Sequence, residues 1–163
     1  EAAVELAEDE QVAGAGLGRA VGLGDDVQQR IGERQGRQAR AAAGIPDVSL
    51  VETYWKLAAI EGAPAELGVA GRELNMVLTE AGTRVKGYSG CNSFTGSYTT
   101  YNDSIEFFEM ASTMKACLAG MEQEIRFLQA LRKTRQFQVI GDQLRLTDAA
   151  GQTLLEFVAV DLP

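Results

Sequence analysis

From Tyr54 to Ala159 the chain alternates apolar and polar side chains in short runs, each closed by turn residues. A period of two places every second side chain on one face of an extended segment, so such runs predict half-buried strands. Trp55 and Leu57 alternate with Tyr54 and Lys56; Leu74, Met76 and Leu78 form the next apolar face, with Glu73, Asn75 and Thr79 opposite. After Glu80-Ala81-Gly82 come Val85 and Gly87, and after Asn102-Asp103 come Ile105 and Phe107. Phe137 and Val139, Leu144 and Leu146, then Leu155, Phe157 and Ala159 complete the series across Gly141-Asp142 and the turn at residues 148 to 151. Short strands with tight turns predict antiparallel pairing.

One segment departs from that rhythm. Between residues 120 and 133, Met121, Ile125 and Leu128 recur at helical spacing, and Phe127 and Leu131 widen the stripe. Glu122 and Glu124 stand near its start and Arg132 and Lys133 near its end, which matches the helix dipole. The fold class predicted is therefore α+β and mainly antiparallel β: a curled sheet or open barrel carrying one amphipathic helix.

The first 48 residues differ in kind. They contain no Ser, Thr, Lys, Asn, Cys, Met or aromatic residue, and Ala and Gly fill 18 of the 48 positions. Little bulky apolar surface is available there to offset an ordering cost of about 1–2 kcal/mol per residue. Residues 1–48 are predicted to be a low-complexity tail or linker, and 49–163 the folded domain. The restricted alphabet is also that of a GC-rich frame translated ahead of a start, and no secretory signal or lipidation cysteine is visible in it. Gly14, Gly16, Gly18, Gly22 and Gly24 do not make a phosphate loop, because no strand precedes them and the GxGxxG spacing fails.

Charge and composition remove several activities. With 15 basic against 23 acidic residues the net charge is −8, which disfavours a nucleic-acid partner. No run approaches the roughly 18–20 apolar residues of a spanning helix. A chain without histidine offers no Ser-His-Asp triad, Cys-His pair, His-ligated zinc or HExxH helix. Two cysteines 26 positions apart supply too few ligands for a zinc site. Neither metal nor cofactor is expected. Glu106 and Glu109 are the nearest approach to a glycosidase carboxylate pair, but a solvated strand face explains them better, and no enzymatic activity is expected.

Cys91 and Cys117 admit two readings, one disulfide or two buried thiols acting as small hydrophobes. A bond would close a loop worth about 3–4 kcal/mol by chain entropy. Tyr88, Phe94, Tyr98 and Tyr101 cluster near Cys91, with Phe107 and Phe108 close by, and suit a barrel core better than a pocket.

Trp55-Lys56-Leu57, then the string SGCNSFTGSY from Ser89 to Tyr98, then MASTMKAC from Met110 to Cys117, together resemble the META domain, also called the HslJ-like family. Met121, Glu124, Phe127 and Leu128 follow in the family's order, and the resemblance covers about residues 50 to 160. Its motif residues here are Trp55, Gly90, Cys91, Asn92, Phe94, Gly96, Tyr98, Met110, Ala111, Thr113 and Cys117. They are expected to be structural: Gly90 and Gly96 bracket a turn between strands, and Asn92 bonds local backbone within it.

The resemblance implies a small antiparallel barrel with one helix, set in the bacterial envelope as a periplasmic or lipoprotein-related protein. It also implies heat-shock or drug-resistance associations and no established enzyme activity. An envelope location favours the disulfide between Cys91 and Cys117. The function expected is non-enzymatic support of stress tolerance by binding or structural association, as a monomer with an unidentified protein or hydrophobic partner. The alternative is a pilot- or carrier-like module holding a hydrophobic ligand or peptide in an open barrel, walled by Trp55, Phe94, Phe107 and Phe127.

Overall fold

The computed structural model describes residues 46–162. The low-complexity reading of the leading segment falls almost wholly on residues 1–45, outside the described residues. Asp47 and Val48 are already bound to the domain: the Gly141 amide donates to Asp47 Oδ1 at 2.6 Å, and the Val48 amide donates to Gly141 O at 2.9 Å.

The strands in chain order are β1 (Tyr54–Ile60), β2 (Ala63–Pro64), β3 (Asn75–Thr79), β4 (Arg84–Tyr88), β5 (Ser93–Tyr101), β6 (Ser104–Ser112), β7 (Gln136–Ile140), β8 (Gln143–Thr147) and β9 (Thr153–Val160). A single α-helix among the described residues, α1 (Met121–Lys133), separates β6 from β7. Neighbours pair antiparallel in the order β1-β3-β4-β5-β6-β7-β8-β9, and β9 returns to pair with β1 from Tyr54↔Val160 to Ile60↔Leu155. Eight strands thus close a barrel, and the two-residue β2 adds to the end of β1. The α+β barrel with one helix is as the alternation implies. Its opening is reduced to a seam where β6 meets β7 only at Ser104↔Gln136. Along the rest of β6 the helix packs against β6, β9 and β1 in place of a strand.

The inward side chains are those the period-two pattern selects. Trp55, Leu57, Leu74, Met76, Leu78, Val85, Ile105, Leu144, Leu146, Leu155 and Phe157 are buried in one cluster. The Trp55 indole N–H donates to Leu50 O at 2.9 Å, so its one polar atom is satisfied inside the core. Phe127 of the helix meets Phe94 edge-on at 5.6 Å and Phe157 at 6.1 Å, which ties α1 to opposite walls.

Three register shifts interrupt the alternation; in β9 Leu154 is the extra residue between the pairs Thr147↔Thr153 and Leu146↔Leu155, and it is buried beside Leu155. In β1 the register shifts between Leu57 and Ala59, so Ile60 rather than Ala59 turns inward. In β6 two residues, Glu109 and Met110, stand opposite the single Gly96 of β5. Glu109 takes a left-handed φ of 52°, and Met110 rather than Glu109 reaches the core.

The helix buries a different stripe from the one its spacing suggests. Glu124, Phe127, Ala130 and Leu131 are buried, whereas Ile125 is 52% exposed. Phe127 and Leu131 set the rotation because they fill the barrel between Phe94 and Phe157. That rotation turns Glu124 inward, where it has work other than complementing the helix dipole.

Candidate functional site

The loop between β4 and β5, residues 89–92, forms the centre of a polar knot at one end of the barrel. Gly90 adopts φ = +123°, which an L side chain rarely tolerates, and this turns successive backbone N–H groups toward the helix. Glu124 Oε2 accepts hydrogen bonds from the Cys91 amide at 3.0 Å and the Asn92 amide at 2.7 Å. The Ser89 hydroxyl lies 2.8 Å from Oε2 and 2.9 Å from Asn92 O, sharing one proton between them. Glu124 Oε1 accepts from Asn92 Nδ2 at 2.7 Å. Burial raises the carboxyl pKa, but the bonds from the Asn92 side chain and amide, from Ser89 and from the Cys91 amide outweigh it and hold the group below its ordinary value of 4.5.

Asn92 extends the knot to a third segment. Its Oδ1 accepts from the Thr113 hydroxyl at 2.8 Å and the Lys115 amide at 2.8 Å, and its Nδ2 also donates to Lys115 O at 3.1 Å. Cys91 and Cys117 are joined in a disulfide with Cα atoms 6.1 Å apart. Gly90 O accepts from Tyr88 Oη at 2.6 Å and from the Val69 amide at 2.8 Å, which brings in the loop before β3. Gln123 clasps the same loop, accepting from the Glu66 amide at 2.8 Å and donating to Glu66 O at 3.0 Å. No buried side-chain polar atom among the described residues lacks a partner. The Glu124 carboxylate fixes loops: Oε2 takes three hydrogen bonds and Oε1 one, all from the β4–β5 loop.

An apolar face lies beside this knot. Leu67, Val69, Cys117 and Leu118 line a surface depression of about 450 Å³. Met114 is 97% exposed and Leu118 wholly so, on a segment whose course Asn92 and the disulfide fix.

Five of the motif residues, Gly90, Cys91, Asn92, Thr113 and Cys117, meet in the knot. The others build the barrel. Trp55, Phe94 and Tyr98 are buried in the core, the Tyr98 hydroxyl donating to Thr79 O at 3.0 Å; Met110 packs against them, and Ala111 pairs with Thr95. Gly96 does not border the turn as its position in the string suggests. It sits inside β5, where a Cβ would strike Met110 Sδ and approach Phe108 O at 3.2 Å. The four wall candidates of the carrier reading, Trp55, Phe94, Phe107 and Phe127, belong to one packed core cluster and fill the interior themselves. Tyr101 and Phe108 are exposed. Glu106 lies on the outer face of β6, and Glu109 in the bulge accepts from Ser97 Oγ at 3.3 Å.

Sequence reasoning passed over Ser89 and Glu124 as site residues. The available signal was an acid at the i position of an i, i+3, i+7 series whose other members, Phe127 and Leu131, are large and apolar.

A model of the META domain matches residues 48–161. The chain belongs to the META domain family. Among solved structures, the META chain is similar to a protein from Burkholderia xenovorans determined by NMR, with 27% identity and a TM-score of 0.54, covering 69% of this chain and 85% of that one. A second NMR structure aligns at 22% identity and a TM-score of 0.53, over 68% of this chain and 95% of the other, and supports the fold alone. No curated protein matches. No helix among the described residues is long and apolar enough to cross a membrane.

Proposed function

We propose that this META domain is a non-enzymatic envelope module that supports stress tolerance by binding a partner through the apolar face beside the Glu124 knot. The observation that carries the reading is Leu118, projecting into solvent where it lines a 450 Å³ apolar depression, with the equally exposed Met114 four residues before it on the same segment. Large apolar side chains held exposed on a fixed loop are a typical signature of a contact surface. An apolar segment of another protein suits a shallow depression of this size. The disulfide supports the envelope assignment, since such bonds persist in oxidising compartments. A carrier of hydrophobic ligands would have to use this outer face, because the interior is occupied by core side chains.

The test is genetic and biophysical together. A deletion strain of the source bacterium is complemented with the wild type or with Met114→Asp/Leu118→Asp under heat and drug stress. The proposal expects the variant to fail while its melting curve and periplasmic level match the wild type. Full rescue by the variant would overturn it.

A further inference from the structure

We propose that the disulfide between Cys91 and Cys117 is a redox latch on residues 116–119, opened by exchange at Cys117, while the Glu124 knot keeps the rest of the barrel end in place. This extends the binding reading above to its regulation, but it stands on local contacts that no partner influences.

The two sulfurs are held unequally. Cys91 lies within the knot: its own amide and that of Asn92 donate to Glu124, and the neighbouring Gly90 O accepts from Tyr88 and Val69. Cys117 has no such support. Upstream of it the last anchored residue is Lys115, bonded to Asn92; downstream the next is Gly120, whose carbonyl accepts the Glu124 amide at 3.0 Å. Among the described residues, Ala116, Leu118 and Ala119 make no hydrogen bond, ion pair or ring contact, and all three are exposed. The sulfur–sulfur bond is therefore the one tether of this stretch, and only one of several for Cys91.

Access is unequal as well. Cys91 is 7% exposed, whereas Cys117 is partly exposed and lines the 450 Å³ depression. A thiolate approaching through the depression reaches Cys117 Sγ first. The reductant is a dithiol. Its thiolate bonds to Cys117 Sγ, the disulfide breaks, and the electron pair leaves on Cys91 Sγ, which takes a proton from solvent. The donor's second thiolate then attacks the donor sulfur of the mixed disulfide and releases Cys117 as thiolate, to be protonated in turn. The dithiol is oxidised to a disulfide and the protein cysteines are reduced to two thiols. Leu118 and one wall of the depression then lose their fixed position, so a reducing environment dissolves the preformed apolar face.

The test compares the ¹⁵N-labelled full chain, oxidised and then reduced with dithiothreitol, by NMR relaxation. The order parameters of Ala116, Leu118 and Ala119 are expected to fall from the rigid range near about 0.85 to below about 0.6, while those of Cys91 and Asn92 stay rigid. A loop that remains rigid overturns the latch. So does loosening of Cys91 and Asn92 together with the loop, or unfolding of the whole domain. A second measurement addresses the attack site: peptide mapping after brief exposure to glutathione is expected to find the adduct on Cys117, and an adduct mainly on Cys91 would contradict it. Neither readout involves a partner, so failure of the binding reading leaves both outcomes interpretable.

Discussion

Replacing Glu124 by Ala removes the acceptor of two buried backbone amides at once. The Cys91 and Asn92 N–H groups, now 3.0 and 2.7 Å from Oε2, would have no alternative partner. Ser89 Oγ keeps Asn92 O, and Asn92 Nδ2 keeps Lys115 O, so these two are not orphaned. An unpaired buried amide costs about 1–3 kcal/mol, which puts Glu124→Ala at about 2–6 kcal/mol, a large share of the roughly 5–15 kcal/mol by which domains are stable. Glu124→Gln separates charge from shape. Its amide oxygen can replace Oε2, but its NH₂ then faces Asn92 Nδ2 as donor against donor, for an expected loss of about 1.5–3 kcal/mol. The control is Glu122→Ala, an exposed acid in the same first turn, expected within about 0.5 kcal/mol of wild type. Urea unfolding at pH 7 measures all three. A loss below about 1 kcal/mol for Glu124→Ala would refute the reasoning, for the amides would then have found other partners.

Three further outcomes are expected from the same contacts. Because the folded-state pKa of Glu124 lies below its ordinary 4.5, its stabilisation is complete above that pH and is lost as pH falls through the folded value; the gap between wild type and Glu124→Gln in urea should narrow over that acid range. Gly96→Ala forces a methyl against Met110 Sδ and is expected to cost about 1–3 kcal/mol by overpacking, with Met110→Ala restoring part of the loss in the double variant; an additive pair would contradict the contact. Reduction should lower unfolding stability by about 3.5 kcal/mol on the chain-entropy account of the loop between Cys91 and Cys117, measured by urea unfolding with and without reductant; no change would refute that account.

The strands and helix were legible because each strand presents one wet and one dry face, so Leu74, Met76 and Leu78, or Leu144 and Leu146, announce themselves by period alone. The bulges were not. A single inserted residue at Ala58 or Glu109 reverses the parity of the rest of its strand, and only the pairing with β9 or Gly96 reveals it. The face of the helix was misjudged for a related reason. Periodicity scores an acid as polar and assigns it to solvent, yet Glu124 is 4% exposed because backbone amides some 32 residues earlier in the chain take the place of water. Gly90, Cys91 and Asn92 in the string from Ser89, and Thr113 and Cys117 in the string from Met110, were legible as motif residues, but their common purpose was not, since the residue that unites them lies on a different element. Gly96 stands in the first of these strings for a separate reason, the room it leaves for Met110.

An ionised Glu124 holding the β4–β5 loop to the helix is the centre of this end of the barrel. The direct measurement is a pH titration of the Glu124 side-chain carboxyl carbon by ¹³C NMR in the folded chain. A midpoint below 4.5, with the Cys91 and Asn92 amide resonances shifting at the same midpoint, is what the bonding requires. A midpoint at or above 4.5 would mean that burial prevails over the hydrogen bonds and that the carboxylate does not organise this end of the barrel.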